Sequence, residues 1–506
     1  MLRGFAIRPA LTTTALAGWI AALHIGLLLV GGLLVGCGES SPGPSGELDG
    51  GRPPGGGGGA DGGPTGGDDG GPPDDAGSDD DQDAGRRVDA GPLPDCDPGP
   101  EATVAVDATP VVRVPFAGME TDAATSSIRR VDLSGSGDTL ELLVTEALDR
   151  DAVLWVRGPC EPTCTVTPLP GTYDDPVRTA VVDWDGDGDR DVIVADIGLL
   201  FPADAPVGRV LLLERTGPET FAPPVVLVDE VGRVACAEPG DFDGDGDPDV
   251  AVCEFGNSTG NVFWLEQDGG EIVDRHTIAA DQPGAIHLFP FDADLDGDLD
   301  LASAISQTDE VIVLFRNVDG QGDFRRETLF EGGDTFFGTS GIHLADLDQD
   351  GDVDVLRSNG DVLDFDLPLS VDPATLHGLG WLENDGAGGF THRQIANLWG
   401  AYALRTADFD GDCLIDVAAA AYRPTGAGEP PEGAVYLYLQ RPDGTFAPGQ
   451  PVGTTEAPEL VVAMELADVN GDQVPDVWTG SLNIEDRDEG VFRLATQTIR
   501  REPLDD

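Results

Sequence analysis

The strongest constraint on this 506-residue chain is a nine-residue acidic frame, DxDxDGxxD, that recurs from residue 132 onward. Four copies are complete: Asp183, Asp185, Asp187, Gly188 and Asp191; Asp241, Asp243, Asp245, Gly246 and Asp249; Asp292, Asp294, Asp296, Gly297 and Asp300; and Asp346, Asp348, Asp350, Gly351 and Asp354. The seventh position of each is also acidic, as Asp189, Asp247, Asp298 and Asp352. Two later copies lack the glycine: Asp408, Asp410, Asp412 and Asp416 surround Cys413, and Asp468, Asn470, Asp472 and Asp476 surround Gln473. An eroded copy starts at Asp132, with Ser134, Ser136, Gly137 and Leu140 in the later slots. The seven starts are 51 to 62 residues apart, with a mean of 56. Self-similarity at such a period means stacked equivalent units rather than unrelated elements around one core.

The residue types name the ligand. Calcium takes six to eight oxygens, and a short loop with carboxylates at positions 1, 3, 5 and 9 and a carbonyl at 7 can wrap one ion, with glycine at 6 allowing the sharp turn. Four carboxylates in nine residues repel one another unless a cation lies between them. Magnesium, with fewer protein oxygens and more retained water, fits less well. The four complete frames are therefore expected to hold at least four calcium ions, the decayed frames at Asp408 and Asp468 to bind weakly, and the Asp132 frame not to bind.

The flanks of the loops are β-like rather than helical. Thr179 to Val182 precedes one loop and Val192 to Ala195 follows it, and similar apolar runs follow the others, as in Val250 to Val252, Leu301 to Ala304 and Val417 to Ala420. Each then meets a second hairpin around a glycine turn, such as VFWLEQDGGEIV from Val262, VIVLFRNVDGQGDF from Val311, GWLENDGAGGF from Gly380 or VYLYLQRPDGTF from Val435. Four strands per 56 residues is the layout of a propeller blade.

These repeats resemble the FG-GAP and VCBS family, the calcium-loop blades also seen in integrin alpha subunits. The resemblance covers about residues 103 to 502. Phe337 and Gly338 keep the Phe-Gly of the family name, whereas the Gly-Ala-Pro part is not retained, which puts an integrin-like set of partners in doubt. It implies an all-β, seven-bladed β-propeller in which each calcium loop joins strands one and two of its blade. The stretch from Val104 to Phe116 is expected to supply the outer strand of the last blade and close the ring.

Composition sets the remaining bounds. With 28 Lys plus Arg against 94 Asp plus Glu, the net charge is −66. Nucleic acid is excluded as an electrostatic partner, because binding it needs clustered cations to displace counterions. The N-terminus reads as an address: Arg3 and Arg8 precede an apolar run from about Ala10 to Gly36 that stops at Cys37. Its ending, LVGC, resembles the lipobox of bacterial lipoproteins, which implies that residues 1–36 are removed and that Cys37 carries the lipid; an uncleaved anchor and an ordinary signal peptide remain open. Residues 38–94 hold 19 Gly, 9 Pro, 13 acidic residues and no aromatic, so 37–102 is expected to be a disordered tether. Asp79, Asp80, Asp81 and Asp83 within it are read as solvated charge, since nothing there fixes a geometry.

Beyond Cys37, six cysteines form an even set that suits an oxidising compartment. Cys160 and Cys164 share one turn, Cys236 and Cys253 flank a loop on neighbouring strands, and elimination leaves Cys96 with Cys413. No catalytic signature stands out. His287 and His343 occur in AIHL and GIHL ahead of two loops, and this shared repeat position favours packing over chemistry. The aromatics Phe336, Phe337, Trp399 and Tyr402 fall near blade junctions, where they could recognise sugar or protein. The expected protein is thus an exported, membrane-anchored component of a bacterial cell envelope. Calcium and the bilayer reached through acylated Cys37 are its expected partners, together with an unidentified protein or glycan bound without catalysis. A polysaccharide hydrolase or lyase and a structural envelope protein are the alternatives.

Overall fold

The computed structural model describes residues 102–106 and 124–503, apart from 136–139, 149–150, 159–163, 202, 308, 334–335, 362–371, 422–434, 453–460, 469–473, 482–493 and 498. The export signal, Cys37 and nearly all of the tether lie outside the described residues.

Six antiparallel four-stranded sheets occupy residues 124–168, 176–231, 234–280, 285–331, 339–397 and 401–452, and are numbered here as blades one to six. Within each, the strands lie side by side in chain order. Blade two inserts a small hairpin, Arg215–Gly217 with Thr220–Phe221, before its outer strand Val225–Val231. A three-stranded sheet follows, from Val461–Ala467, Asp476–Ser481 and Leu494–Gln497. A last strand, Ile499–Pro503, pairs antiparallel with Ala102–Val106, Val104 facing Arg501.

The burial pattern explains the arrangement. The second strands of blades two to six, DVIVAD, DVAVCE, DLASAI, DVLRSN and DVAAAA, are buried at every position, because both faces are covered by neighbouring blades. An outer strand such as Glu271–Ala280 is mostly exposed or half-buried. Each apolar cluster therefore spans two sheets. Val182, Trp184 and Ile193 of blade two pack with Val234, Val250 and Phe263 of blade three, and each such fully buried side chain contributes about 1.5–3 kcal/mol. Ile128, Leu142 and Val144 of blade one pack with Ala463, Ala467 and Trp478 of the three-stranded sheet, so the ring closes on itself.

The repeat count leads one to expect seven four-stranded blades; the structure has six. Among the described residues of the last repeat the sheet has three strands, and Ile499–Pro503 pairs with the N-terminal strand instead of adding a fourth. Cys236 and Cys253 form the expected disulfide across the first two strands of blade three, with Cα atoms 5.2 Å apart. Cys164 and Cys413 are each in a disulfide as well, but not with one another among the described residues; Cys96 and Cys160 lie outside the described residues.

Candidate metal centres

The acidic frames occupy the turns between the first and second strands of their sheets. Register places the residue before position 1 opposite position 9, as Val182 opposite Asp191, Gly240 opposite Asp249 and Ala345 opposite Asp354. One backbone pattern then builds five loops. The position 6 amide donates to the position 1 carboxylate: Gly188 to Asp183, Gly246 to Asp241, Gly297 to Asp292, Gly351 to Asp346 and Cys413 to Asp408, at 3.0 to 3.2 Å. The position 7 amide donates to the position 5 carboxylate, as Asp189 to Asp187 at 2.8 Å and Asp247 to Asp245 at 2.9 Å.

The turn requires left-handed backbone at position 6, where the glycines have φ between +88° and +103°. Cys413 takes the same conformation at φ +73°, so loss of the glycine did not unmake that loop. Position 4 is left-handed as well, and only three of the five loops have glycine there; Leu295 and Gln349 adopt φ +57° and +61°. That second requirement was readable in the DG pairs at 185–186, 243–244 and 410–411, yet the frame as written leaves position 4 free.

Position 9 has a structural task of its own. One oxygen of each buried Asp accepts the amide of position 2: Trp184 to Asp191, Phe242 to Asp249, Ala293 to Asp300, Leu347 to Asp354 and Phe409 to Asp416. The other accepts an amide at the end of the third strand, from Arg215, Gln267, Asn317, Asn384 and Gln440 at 2.7 to 3.0 Å. Burial pushes these carboxyls up, to about 6 for Asp191, about 7 for Asp249 and Asp300 and about 8 for Asp354 and Asp416.

The same third-strand residues tie the blades together. Arg215, Gln267, Asn317, Asn384 and Gln440 donate from their side chains to the position 2 carbonyl of the preceding blade's loop, at Leu133, Trp184, Phe242, Ala293 and Leu347 respectively. The sequence pattern does not show these straps, because they join residues 75 to 93 positions apart and the donor changes among Asn, Gln and Arg.

The donor sets fit a hard cation. Asp183, Asp185 and Asp191, Asp241, Asp243 and Asp249, and Asp346, Asp348 and Asp354 each offer three carboxylate oxygens within 4.8 Å of one another, as do Asp292, Asp294 and Asp296. Oxygens around calcium at 2.3–2.6 Å span at most about 5 Å. Asp183 keeps one oxygen for Gly188, and its buried Oδ1 has no partner among the described residues; the Oδ1 of Asp352 is likewise unpartnered there. The seventh-position side chains vary: Asp247 caps the Gly269 amide of the neighbouring turn at 2.9 Å, and Asp189 lies 3.7 Å from Arg215. In the last frame Asp468 and Asp476 are described while Asn470 and Asp472 are not, and Asp476 accepts the Ile499 amide at 3.0 Å.

The Asp132 loop is one residue longer, and Glu141 replaces the position 9 Asp. Its Oε2 accepts from the amides of Leu133 and Ser134 and from Trp155 Nε1 at 3.0 to 3.2 Å. The acid immediately after Leu140 was the missed signal.

Repeats of this chain match the FG-GAP-like repeat family over residues 183–252, 241–303, 292–356 and 408–479. The chain carries four FG-GAP-like repeats in a β-propeller. Every match begins at position 1 of a frame and runs into the sheet that follows, the unit that the straps join. A comparison with curated proteins finds no match. Among solved structures the propeller is similar to an ancestral GH74 enzyme, at TM-score 0.48 and 9% identity over 79% of this chain; the chain spans 51% of that enzyme's length. It is also similar to the PQQ-bound aldose sugar dehydrogenase of Streptomyces coelicolor, at TM-score 0.41 and 13% identity over 79% of this chain and all of that one.

Two further features complete the FG-GAP-like propeller. A cleft of about 590 Å³ lies between the outer parts of blades five and six, lined by Trp399, Tyr436, Tyr438, Phe446 and Arg441 among others. Of the four aromatics named from sequence, Trp399 lies in this cleft and Tyr402 at the propeller axis. Phe337 is buried against Phe330, and the Phe336 carbonyl accepts from His377. His287 and His343 both line the axis but are not equivalent. In register Phe289, facing Ala302, matches His343, facing Leu356, so the two imidazoles sit two residues out of step.

Proposed function

We propose that this FG-GAP-like propeller is an exported, lipid-anchored, calcium-stabilised binding module. Calcium would be held by positions 1, 3, 5 and 9 of the four complete loops and more weakly by the Asp408 loop. What supports this is the convergence of three oxygens per loop together with the unpartnered Oδ1 of Asp183. Export and acylation of Cys37 rest on the N-terminal sequence alone.

The three-stranded sheet and the Ala102–Val106 pair together close the ring beside the six blades. Ile499 donates to Asp476 as third-strand residues do in blades two to six, and Val104 packs on the cluster containing Val461, Val477 and Ile499. Cysteines placed at Val104 and Arg501 should cross-link on oxidation; failure to do so under conditions where Cys236–Cys253 forms would reject the pairing.

The observation that carries the binding role is the cleft between blades five and six. Its volume falls within the usual range for ligand sites, and half-buried Trp399, Tyr436 and Phe446 offer apolar faces for stacking. Arg441 is the one charged residue among its described lining, whereas glycoside hydrolysis uses a pair of carboxyl groups across the bond to be cut. With a charge of −66, neutral polysaccharides are the favoured ligands and polyanionic ones are repelled. Full-length protein and Trp399→Ala, both in calcium, should be compared on immobilised neutral polysaccharides. Retention without released sugar, lost in the variant, is expected. Released oligosaccharide would replace this reading with the hydrolase, and no retention on any surface would leave a structural envelope role.

A further inference from the structure

The innermost strands enclose a different kind of site. A cavity of about 110 Å³ lies on the propeller axis, lined from blades one to six and from the three-stranded sheet. In a protein this acidic, its lining is cationic: Arg129, Arg178 and Arg405 stand against Glu238 and Glu465. Two of the three arginines have carboxylate partners. Arg129 Nη1 donates to Glu238 at 3.0 Å, and Arg405 grips Glu465 through Nε and Nη2 at 3.3 and 3.4 Å.

Arg178 makes no ion pair within 4 Å among the described residues, and Glu238 attracts it only at longer range. Its Nη2 donates to Nδ1 of His287, and its Nε and Nη1 have no acceptor in the described protein. His287 must therefore keep a lone pair on Nδ1, and its Nε2–H donates to the Ser340 carbonyl at 2.9 Å. The imidazole is thus neutral and positions the guanidinium. Burial, then the nearby Arg178, hold its pKa well below the usual histidine range, and burial likewise holds His343 down to about 3. The axis therefore carries three positive charges against two negative. A half-buried cation without a direct ion-pair partner is under-compensated, and Arg178 lines a polar cavity with the volume of about four waters.

We propose that the central channel binds one small oxyanion or carboxylate, held by Nε and Nη1 of Arg178 with Arg129 as the second cation. Arg129 uses only Nη1 in its protein contacts, to Glu238 and the Thr179 carbonyl, so its other nitrogens are available. The acidic rim does not forbid this, since exposed charges are screened beyond about 8 Å at physiological salt and the local field in the channel is set by the arginines. This site is independent of the binding cleft and of the calcium loops.

The test is thermal melting of the full-length protein in excess calcium while sodium acetate replaces sodium gluconate at constant ionic strength, gluconate being the anion too bulky for the cavity. A saturable rise in Tm is expected in the wild type, absent in Arg178→Gln and partly kept in Arg178→Lys. No saturable rise in the wild type, or an equal rise in Arg178→Gln, would overturn the proposal. Should Arg178→Gln fail to fold, wild-type crystals grown with selenate decide the matter: an anomalous peak beside Arg178 sustains the site, and an empty channel at saturating selenate removes it.

Discussion

Blades two to five and blade one solve one geometrical problem with different chemistry. In both, a turn between the first two strands must satisfy its own amides while pressing against the next blade. Blades two to five do this with a ring of carboxylates whose position 9 oxygens take two backbone amides while three acids of each loop, position 9 among them in three of the four, converge on a common point. Blade one does it through Glu141, whose Oε2 gathers two loop amides and Trp155 Nε1. The stapling role of the acid is thus separable from metal binding, and the complete loops carry more carboxylate oxygens than their own amides use, as at the unpartnered Oδ1 of Asp183.

Paired alanine substitutions would break that comparison most strongly. Asp354→Ala and Glu141→Ala each orphan buried donors at about 1–3 kcal/mol apiece, so each should cost roughly 3 kcal/mol in chelator. In calcium the cost of Asp354→Ala should grow, because a ligand is lost as well, while that of Glu141→Ala should not change. Equal costs under both conditions, read from denaturant melts, would show that the complete loops are only turns.

Acid should separate the rim from the axis. His343 is held at about 3 by burial, below the roughly 6.5 of an unfolded chain, so the unfolded state takes up a proton that the folded state refuses. Its contribution is fully present above pH 6.5 and is lost as pH falls toward 3, at up to about 1.4 kcal/mol per unit. His343→Asn should flatten the acid limb of stability relative to the wild type when both are measured in chelator, where the raised loop carboxyls contribute alike to the two proteins; an unaltered slope would mean that the imidazole protonates in place.

Smaller effects test the straps and the turn. Asn384→Ala removes the side-chain donor to the Ala293 and Val353 carbonyls and should cost about 1–2 kcal/mol, detectable as faster exchange of amides in both blades four and five. A change confined to blade five would mean that the strap does not couple them. Leu295→Gly relieves left-handed backbone at an exposed position 4 and should gain up to about 1 kcal/mol; a loss would show that the leucine side chain matters more than its φ.

Most of the fold was legible because the frame, the strand flanks and the glycine hairpins repeat together. The loop positions and the Cys236–Cys253 bridge follow directly from that periodicity. What escaped is non-local or slightly out of register. The Asn, Gln and Arg straps join different blades, the Glu141 substitute is displaced by one residue, and the offset between His287 and His343 shows only once each strand is paired with its neighbour. The count of four-stranded blades also escaped, because the last repeat shares its end with residues 102–106, almost 400 positions away.

The central claim is that the convergent acids exist to hold calcium. Calorimetry of the full-length protein in calcium and then in chelator tests it directly. Each site filled at a hundredfold excess over its Kd adds about 2.7 kcal/mol, so four together rival the whole stability of an ordinary domain. A large fall in Tm on chelation, restored by calcium, is predicted; the same melting curve with and without chelator would contradict the account.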